Sequence, residues 1–289
     1  MQPPSATQPN AMQPREFAAY HLPALERDEA RHNLIVAVLG RLAGENPPEL
    51  LLWSLGEPGQ CAIKAPGYPI VLGDMNAAQC HALAEATRSL DYPAVVGADE
   101  TPHWFVERAT ELGMTFREPI PQQIQVLRDK PVYPGMPGHA RQVGAADTPL
   151  FSEWMIAFSR EAIPQDPVPT PEQLAQSAAS GRFQLWIVDG EPVSMAGIMR
   201  RTPHAGAIAG VYTPPKLRGR GYAGSATAAV VDAIFAEGRS MACLYVDLRN
   251  PFSSRCYAKI GFTPLCRSSY YPRVSGLASG PVSALSAKA

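Results

Sequence analysis

The sequence predicts an α/β (α+β) protein with a mixed, mostly antiparallel sheet flanked by helices. Its 289 residues exceed one typical domain and indicate two. A basic, glycine-rich turn at 218–221 joins an apolar, strand-like segment to an alanine-rich helical segment. Asp189-Gly190 separates two apolar runs and predicts a tight hairpin. Hairpin strands and a strand-turn-helix unit therefore occur in one chain.

The N-terminal half is expected to alternate strands and helices after a disordered tail. Residues 1–15 are rich in Pro, Gln and Ser, and residues 275–289 are small and polar, so both ends are expected to be flexible tails. The pattern then predicts an amphipathic helix at 27–43, strands at 50–55, 61–65 and 70–72, a helix at 77–90, a strand at 94–97, a helix at 102–112 and a strand at 122–127.

A linker is expected between two domains. Residues 129–138 contain three prolines and two glycines, a composition typical of a break between elements. We therefore expect an N-terminal domain at 16–130, a linker at 131–138 and a C-terminal domain at 139–274.

The C-terminal domain is expected to begin with a strand and two helices and to continue as a meander. The segments are a strand at 139–143, helices at 149–162 and 171–179, strands at 183–188, 193–200 and 207–213, a helix at 226–237 and a strand at 243–248. A last helix should begin after the N-cap Asn250 with Pro251 and end at Gly261. Phe252, Cys256 and Ile260 would share its core-facing stripe.

Composition excludes several classes of partner. The formal net charge of −1 and the pI near 6.6 argue against nucleic acid or an anionic membrane as the main partner. Five cysteines without a CxxC pair make a disulfide framework or a zinc site improbable, so no metal is expected. The chain has neither a signal-like start nor 18 consecutive apolar residues, and we expect a cytoplasmic protein.

The turn at 218–221 has the features of an anion site. Gly219 and Gly221 permit positive φ and close backbone approach, while Arg218 and Arg220 add positive charge at the start of a helix. A phosphate or pyrophosphate fits this turn, but no Lys-Ser or Lys-Thr follows it, so it is not an ATPase P-loop.

A dinucleotide site is an alternative interpretation of the same turn. Gly219-x-Gly221-x-x-Gly224 satisfies the NAD-binding fingerprint, and Asp247 stands near the position of an acidic ribose ligand. Residues 214–217 nevertheless intervene between strand and turn, and the chain after Asp247 is too short for the rest of a doubly wound sheet. An NAD-binding oxidoreductase is therefore the remote alternative.

Two motifs in the C-terminal half resemble those of the GCN5-related N-acetyltransferases (the GNAT superfamily). Arg218-x-x-Gly221-x-Ala223 is similar to the family's acyl-CoA loop [RQ]-x-x-G-x-[GA]. Residues 250–262 are similar to its N-x-x-[AS]-x-x-x-Y-x-K-x-G-F helix, at the right distance and in the right order. The resemblance covers 141–273 and is closest to the FR47-like branch, because VYTPPKLRGRGYA is similar to that branch's strand-to-loop segment.

The resemblance implies a GNAT fold and an acyl-CoA-dependent N-acetyltransferase. The acetyl group would pass from acetyl-CoA to an amine, of a small molecule or a peptide, by direct attack in a ternary complex, and oligomerisation stays open. Tyr257 would protonate the departing thiolate as the general acid. The implied acetyl-CoA-binding residues are Gly210, Val211, Tyr212, Arg218, Gly219, Arg220, Gly221, Tyr222, Ala223, Gly224, Asn250, Ser253 and Tyr257.

The general base is the point at which the chain departs from many members of the family, which carry a glutamate on the central strand. The strand expected at 207–213 has no ionisable side chain except Tyr212. Glu161 and Asp166, near the expected substrate loop, are the candidate bases, and Asp247 is a further one. A chain of water molecules is the alternative.

The N-terminal half is expected to be a degenerate GNAT-like copy. Its order of strands and helices from Ile70 repeats the order from Ile208, but its turn at 72–76 has one glycine, no arginine and the acidic Asp74. This copy is expected to have lost acyl-CoA binding and to help shape the acceptor pocket. A non-catalytic acyl-CoA sensor or interaction protein remains the main alternative to an enzyme.

Overall fold

The computed structural model describes residues 9, 11–42, 49–164 and 168–274. The expected tail at 275–289, most of the tail at 1–15 and the candidate base Asp166 lie outside the described residues. The chain forms two compact units: residues up to Ile124 together with the segment that starts at Cys266, and Gln125–Leu265. The division therefore falls after Ile124 and not in the proline-rich segment 131–138.

The first unit combines short strands with helices. Its described elements are α1 (Pro14–Leu25), α2 (Asn33–Leu39), β1 (Leu51–Ser54), β2 (Cys61–Lys64), β3 (Ile70–Leu72), α3 (Ala77–Ala86), β4 (Ala94–Ala98), α4 (Thr101–Glu111) and the first part of β5 (Ile120–Leu127). Its core packs Trp53, Tyr92 and Phe105 between the sheet and helices α3 and α4.

The sheet of this unit ends on a strand from the far end of the chain. β1, β2 and β3 pair antiparallel, and β3 pairs parallel with β4. The other edge of β4 pairs antiparallel with Ser268–Pro272 of β11 (Thr263–Pro272). The strand β5, which follows α4 in the chain, does not take that position, and its residues 125–127 belong to the second unit.

The helix expected at 27–43 is correct only over Asn33–Leu39, and its expected start is wrong. The helix α1 begins at Pro14, inside the expected tail, and α2 starts only at Asn33. The chain between them bends because its polar side chains bond to distant groups: the His32 Nε2 lies 2.9 Å from the Asp74 carboxylate, and Arg31 binds both Asp74 and Asp99. These tertiary bonds override the helical apolar pattern.

The second unit holds the remaining elements. They are the last part of β5, β6 (His139–Gln142), α5 (Thr148–Ala162), α6 (Pro171–Ala179), β7 (Phe183–Val188), β8 (Glu191–Arg201), β9 (Ala205–Tyr212), α7 (Tyr222–Ala236), β10 (Met241–Asp247), α8 (Pro251–Ile260) and the first part of β11. The tight hairpin between β7 and β8 is confirmed, because Asp189 and Gly190 have φ of 51° and 84°.

The sheet of the second unit has helices on both faces. β6, β7, β8 and β9 pair antiparallel in order, whereas β9 and β10 pair parallel and β5 lies beside β10. α7 and α8 cover one face of the sheet, and α5 and α6 cover the other. Successive side chains of β7 point to opposite faces, so Trp186 packs in the core under α7 and α8, and Leu185 packs in the core under α5 and α6. The expected mixed, mostly antiparallel sheet flanked by helices is confirmed, and it differs from the parallel sheet that a dinucleotide-binding fold requires.

Candidate functional site

The candidate site begins where β9 and β10 separate. Their parallel pairing joins Ala205–Ile208 to Met241–Leu244 and, within these two fully described strands, ends there. Gly210 then has φ of +65° at an irregularity in the pairing of β9 with β8. A Cβ at Gly210 would lie 2.9 Å from the Phe183 ring, so only glycine fits this bulge. The C-terminal part of β9 therefore continues beyond its pairing with β10, and an opening lies between the two strands.

The anion turn follows β9 in the chain after a short connection. A short 3₁₀ turn at Pro215–Leu217 leads to Gly219, with φ of +78°, and to Gly221, the N-cap of α7, with φ of +84°. A Cβ on Gly219 would meet no atom within 4 Å, so a ligand can approach this backbone closely. A Cβ on Gly221 would instead lie 2.9 Å from the Met136 Cγ. Helix α7 thus begins at Tyr222, four residues before the expected start.

The two arginines of the turn have different surroundings. The Arg218 Nη2 donates to the Glu161 Oε2 at 2.6 Å, and its Nε donates to the Thr213 carbonyl at 2.9 Å. Its guanidinium also lies 5.7 Å from the centre of the Tyr212 ring. Arg220 is exposed and forms no ion pair with any residue that the structure describes. One cation is therefore held in place and the other faces solvent.

Helix α8 has the boundaries that its sequence predicts. The Asn250 Oδ1 accepts hydrogen bonds from the N–H groups of Phe252 and Ser253, at 3.2 and 3.3 Å. Gly261 ends the helix with φ of +113°. The core-facing role expected of Phe252 is wrong, because its side chain is 75% exposed. Ile260 and Tyr257, further along the helix, belong to the core that α7 shares.

Tyr257 lies at the edge of the core beside α7. Its ring packs edge-on against Phe262, with centroids 6.0 Å apart. Burial, and secondarily the neighbouring Cys256, raises the pKa of the Tyr257 hydroxyl well above its usual range. None of the described groups hydrogen-bonds this hydroxyl. Tyr257 is therefore a neutral phenol at neutral pH that retains a proton to donate.

The described acidic candidates are held by arginines. Glu161, on the last turn of α5, binds Arg218 as above. The Asp247 Oδ2 lies 2.7 Å from the Arg249 Nη2, and the Asp247 Oδ1 accepts from the Arg249 backbone N–H. Partial burial raises the pKa of Asp247, but the hydrogen bonds from Arg249 outweigh it, so the net change is downward. Both carboxylates therefore already have cationic partners.

The corresponding turn of the first unit, at 72–76, carries a negative charge where the anion turn carries positive charges. It follows β3, and its Asp74 accepts from His32 and Arg31. Arg31 also binds Asp99, which follows β4. A Cβ on Gly73 would lie 2.5 Å from the Gly59 carbonyl oxygen, so this turn packs against protein where Gly219 is open. The sequence showed that this turn contains the acidic Asp74, but it gave no signal that Arg31 would pair with the Asp74 carboxylate.

The proline-rich segment expected to be a linker packs on the second unit. The Tyr133 hydroxyl donates to Asp232 of α7 at 2.6 Å, and the Trp186 Nε1 donates to the Pro137 carbonyl at 3.0 Å. Sequence reasoning missed Pro134 and Met136 as neighbours of the anion turn. Their only local signal is a composition typical of linkers.

The described parts of the chain contain neither a cluster of metal ligands nor a helix suited to a membrane. No group of three or more His, Cys, Asp or Glu side chains there could hold a metal ion. None of the helices in those parts is both long and apolar enough to span a bilayer.

Comparison with family models matches one region of the chain. Residues 184–271 match the FR47-like protein family. The match extends from β7 to β11 and includes the bulge at Gly210, the anion turn and Tyr257. No curated protein sequence matches the chain significantly.

Solved structures with similar folds extend over most of the chain. A GCN5-related N-acetyltransferase from Sphaerobacter thermophilus is 17% identical, with a TM-score of 0.60, covering 93% of this chain and 96% of its own. One from Kribbella flavida is 16% identical, with a TM-score of 0.58 and coverages of 86% and 96%. A tandem GNAT protein from the clavulanic acid biosynthesis pathway is 14% identical, with a TM-score of 0.55 and coverages of 92% and 94%. At these identities the likeness shows the fold, including a two-domain arrangement.

Proposed function

The chain has the GNAT fold and an FR47-like region in its C-terminal half, and on this basis we propose that it transfers an acetyl group from acetyl-CoA to an amine. The observation that carries the proposal is the continuity of the opening between β9 and β10 with the anion turn. The bulge at Gly210 lies at one end of this path, and Gly219 and Gly221 lie at the other.

The shape of acyl-CoA matches this path. Its pantetheine arm carries amide groups that would hydrogen-bond to the backbone of Gly210, Val211 and Tyr212, like an added strand. The pyrophosphate would accept hydrogen bonds from the N–H groups of the turn at 218–224 and from the first turn of α7, where the helix dipole favours negative charge. Arg220, exposed beside the turn, would add charge, and Asn250 and Ser253 would border the opening.

The proposed reaction is a direct attack by a neutral amine. Its nitrogen bonds to the thioester carbonyl carbon, the C–S bond breaks, and the electron pair of that bond leaves on sulfur. Tyr257 donates its hydroxyl proton to the CoA thiolate, and the attacking nitrogen loses its extra proton to water. The Tyr257 hydroxyl is protonated at neutral pH and so has a proton to donate, while the burial that raises its pKa makes it a weaker acid than a free tyrosine.

In this proposal Glu161 is the ion-pair partner of Arg218 and does not accept the proton of the amine. Its carboxylate accepts from the guanidinium at 2.6 Å, so a role as general base would require it to leave that partner. Water is the proton acceptor that the site supports better.

The test combines binding with an assay of turnover. Isothermal calorimetry with acetyl-CoA and with NADH is followed by a thiol-release assay over a panel of small-molecule and peptide amines. We expect acetyl-CoA to bind, NADH not to bind, and at least one amine to accelerate CoA release. Binding of acetyl-CoA without release by any amine would favour a non-catalytic acyl-CoA sensor. NADH binding without acetyl-CoA binding would overturn the proposal.

A further inference from the structure

We propose that the segment 131–138, here called the strap, is part of the acyl-CoA site, with Met136 and Pro134 as positioning residues of the anion turn. The inference rests on the proposed function, because it concerns the same cosubstrate. The strap touches the two glycines that open α7, and those glycines belong to the turn whose N–H groups would hold the pyrophosphate.

The strap is anchored near both of its ends. Near its start, the Val132 N–H donates to the Ile260 carbonyl at the end of α8, and the Tyr133 hydroxyl donates to Asp232. Near its end, the Pro137 carbonyl accepts from the Trp186 indole N–H. Gly138 has φ of +116°, and a Cβ there would lie 2.3 Å from the Ile187 carbonyl oxygen. These bonds fix the path of Pro134, Gly135 and Met136.

The strap packs against the first turn of α7 on the side where Gly221 and Gly224 leave the helix without side chains. A Cβ on Gly221 would lie 2.9 Å from the Met136 Cγ and 3.0 Å from its Sδ. A Cβ on Gly224 would lie 2.8 Å from the Pro134 Cγ on one side and 3.7 Å from the Cys256 Sγ on the other. The first turn of α7 is therefore held between the strap and α8, and Gly224 is buried although it lies only three residues after the N-cap.

This contact has a consequence for anion binding. The N–H groups of a helix start bind an anion best when their directions are fixed beforehand, because less conformational entropy is then lost on binding. Met136 packs on Gly221, which initiates the helix, while the backbone of Gly219 stays open. The strap would thus hold the donors in place without occupying the open side of the turn.

The test compares Met136→Ala with Met136→Leu and uses two ligands. Calorimetry measures Kd for acetyl-CoA and for S-acetylpantetheine, which lacks the pyrophosphate. For Met136→Ala we expect Kd for acetyl-CoA to rise about tenfold and Kd for S-acetylpantetheine to stay within about twofold, because only the first ligand uses the turn. Leucine, with a volume near that of methionine, should restore the affinity.

The control variant is Val274→Ala. Val274 lies outside the strap, and its side chain is 46% exposed, so both affinities should be unchanged. If Met136→Ala does not fold, Tyr133→Phe replaces it, since this change removes only the hydroxyl that binds Asp232, and the same selective loss is expected.

Three results would overturn the inference. Equal acetyl-CoA affinity in the Met136→Ala and Val274→Ala variants would remove Met136 from the site. Equal loss for both ligands would indicate general damage and not positioning of the turn. If the wild-type protein bound S-acetylpantetheine and acetyl-CoA equally well or not at all, the proposed function itself would fail, and the inference with it.

Discussion

The Arg218 guanidinium and the Glu161 carboxylate form an ion pair of 2.6 Å that joins the anion turn to the last turn of α5. Both side chains are about half exposed, with 46% and 47% of their surfaces accessible. Exposed pairs of this kind contribute about 0–1 kcal/mol. The pair is therefore weak enough for a bound pyrophosphate to displace Glu161 from Arg218.

The first prediction concerns this pair. Glu161→Gln removes the competing charge, so acetyl-CoA should bind as tightly as in the wild type or up to about fivefold more tightly, with kcat changed less than about threefold. Calorimetry and the pH dependence of kcat are the measurements. Glu153→Gln, an exposed change on the same helix, is the control. A fall in kcat of about 100-fold with loss of the acidic limb would make Glu161 the general base.

The second prediction concerns the positive charge of the turn. Arg218→Glu combined with Arg220→Glu should raise Kd for acetyl-CoA at least about 100-fold, because the pyrophosphate would face two like charges. Tm should fall only slightly, since both side chains are exposed and only Arg218 loses bonds, to Glu161 and Thr213. Gly221→Val is a poor test, since its side chain would collide with Met136 and disturb the strap. Arg88→Glu, on the surface of the first unit, is the matched control; an unchanged Kd in the double variant contradicts the cofactor assignment.

The third prediction concerns Tyr257. Tyr257→Phe should lower kcat about 10²- to 10⁴-fold and leave Kd for acetyl-CoA within about threefold, because a general acid acts in the transition state. Since burial raises the pKa of Tyr257, the wild-type rate should not fall through deprotonation of this group up to pH 10. Tyr20→Phe controls for loss of an exposed tyrosine hydroxyl. A wild-type rate in the Tyr257 variant would move proton donation to water.

The fourth prediction concerns His21 in the first unit. His21 is fully buried; its Nδ1 accepts from the Gly59 N–H, so its Nε2 carries the proton and donates to the Ser54 Oγ at 3.0 Å. Burial lowers the pKa of His21 from 6.5 to about 4. Between pH 6.5 and 4 the His21 side chain binds a proton in the unfolded chain but not in the folded protein. The free energy of unfolding therefore falls as the pH decreases through this window.

The expected loss is about 3 kcal/mol at pH 4, and it should be smaller in His21→Asn. Imidazole resonances followed by NMR give the pKa directly, and the free energy of unfolding of both proteins between pH 7 and 4 gives the linkage. A His21 resonance that titrates near 6.5 would refute the prediction.

The fifth prediction concerns the strands exchanged between the two units. Fragments 1–130 and 139–289 should not fold separately, because β4 needs Ser268–Pro272 and the core of the second unit includes Leu127. Circular dichroism should show no cooperative unfolding for fragment 1–130 alone, and a peptide of residues 263–274 should restore it. Cooperative unfolding of the fragment without the peptide, at the Tm of the intact protein, would contradict this prediction.

Local chemistry explains which parts of the fold the sequence predicted. The ends of α8 follow from Asn250, Pro251 and Gly261, whose effects act within one helical turn. The hairpin at Asp189-Gly190 follows from two residues that tolerate positive φ. The anion turn also follows from local chemistry, because Gly219 and Gly221 mark it in the sequence. The bulge at Gly210 was not expected, since Gly210 stood inside the strand predicted at 207–213 and was implied as a binding residue only by the family resemblance.

Long-range contacts explain what the sequence did not predict. The break before α2 depends on bonds from Arg31 and His32 to Asp74 and Asp99, which no local pattern encodes. The sequence does not predict that β4 pairs with β11 and not with β5, because an apolar strand pattern does not specify which strand will pair with it. The sequence indicates a linker at the strap, because the strap packs against two glycines, Gly221 and Gly224. Glycines have no side chains, so this contact leaves no apolar pattern in the sequence.

The pairing of β4 with Ser268–Pro272 affects the order of events during translation. At about 5–20 residues per second, the ribosome reaches Ser268 roughly 10–30 s after it has made β4. Throughout that interval the apolar edge of β4 has no partner of its own and is open to pairing with strands of other nascent chains. We therefore expect the first unit to complete its sheet only near the end of synthesis, and chaperone binding to residues 94–98 to matter most before that moment.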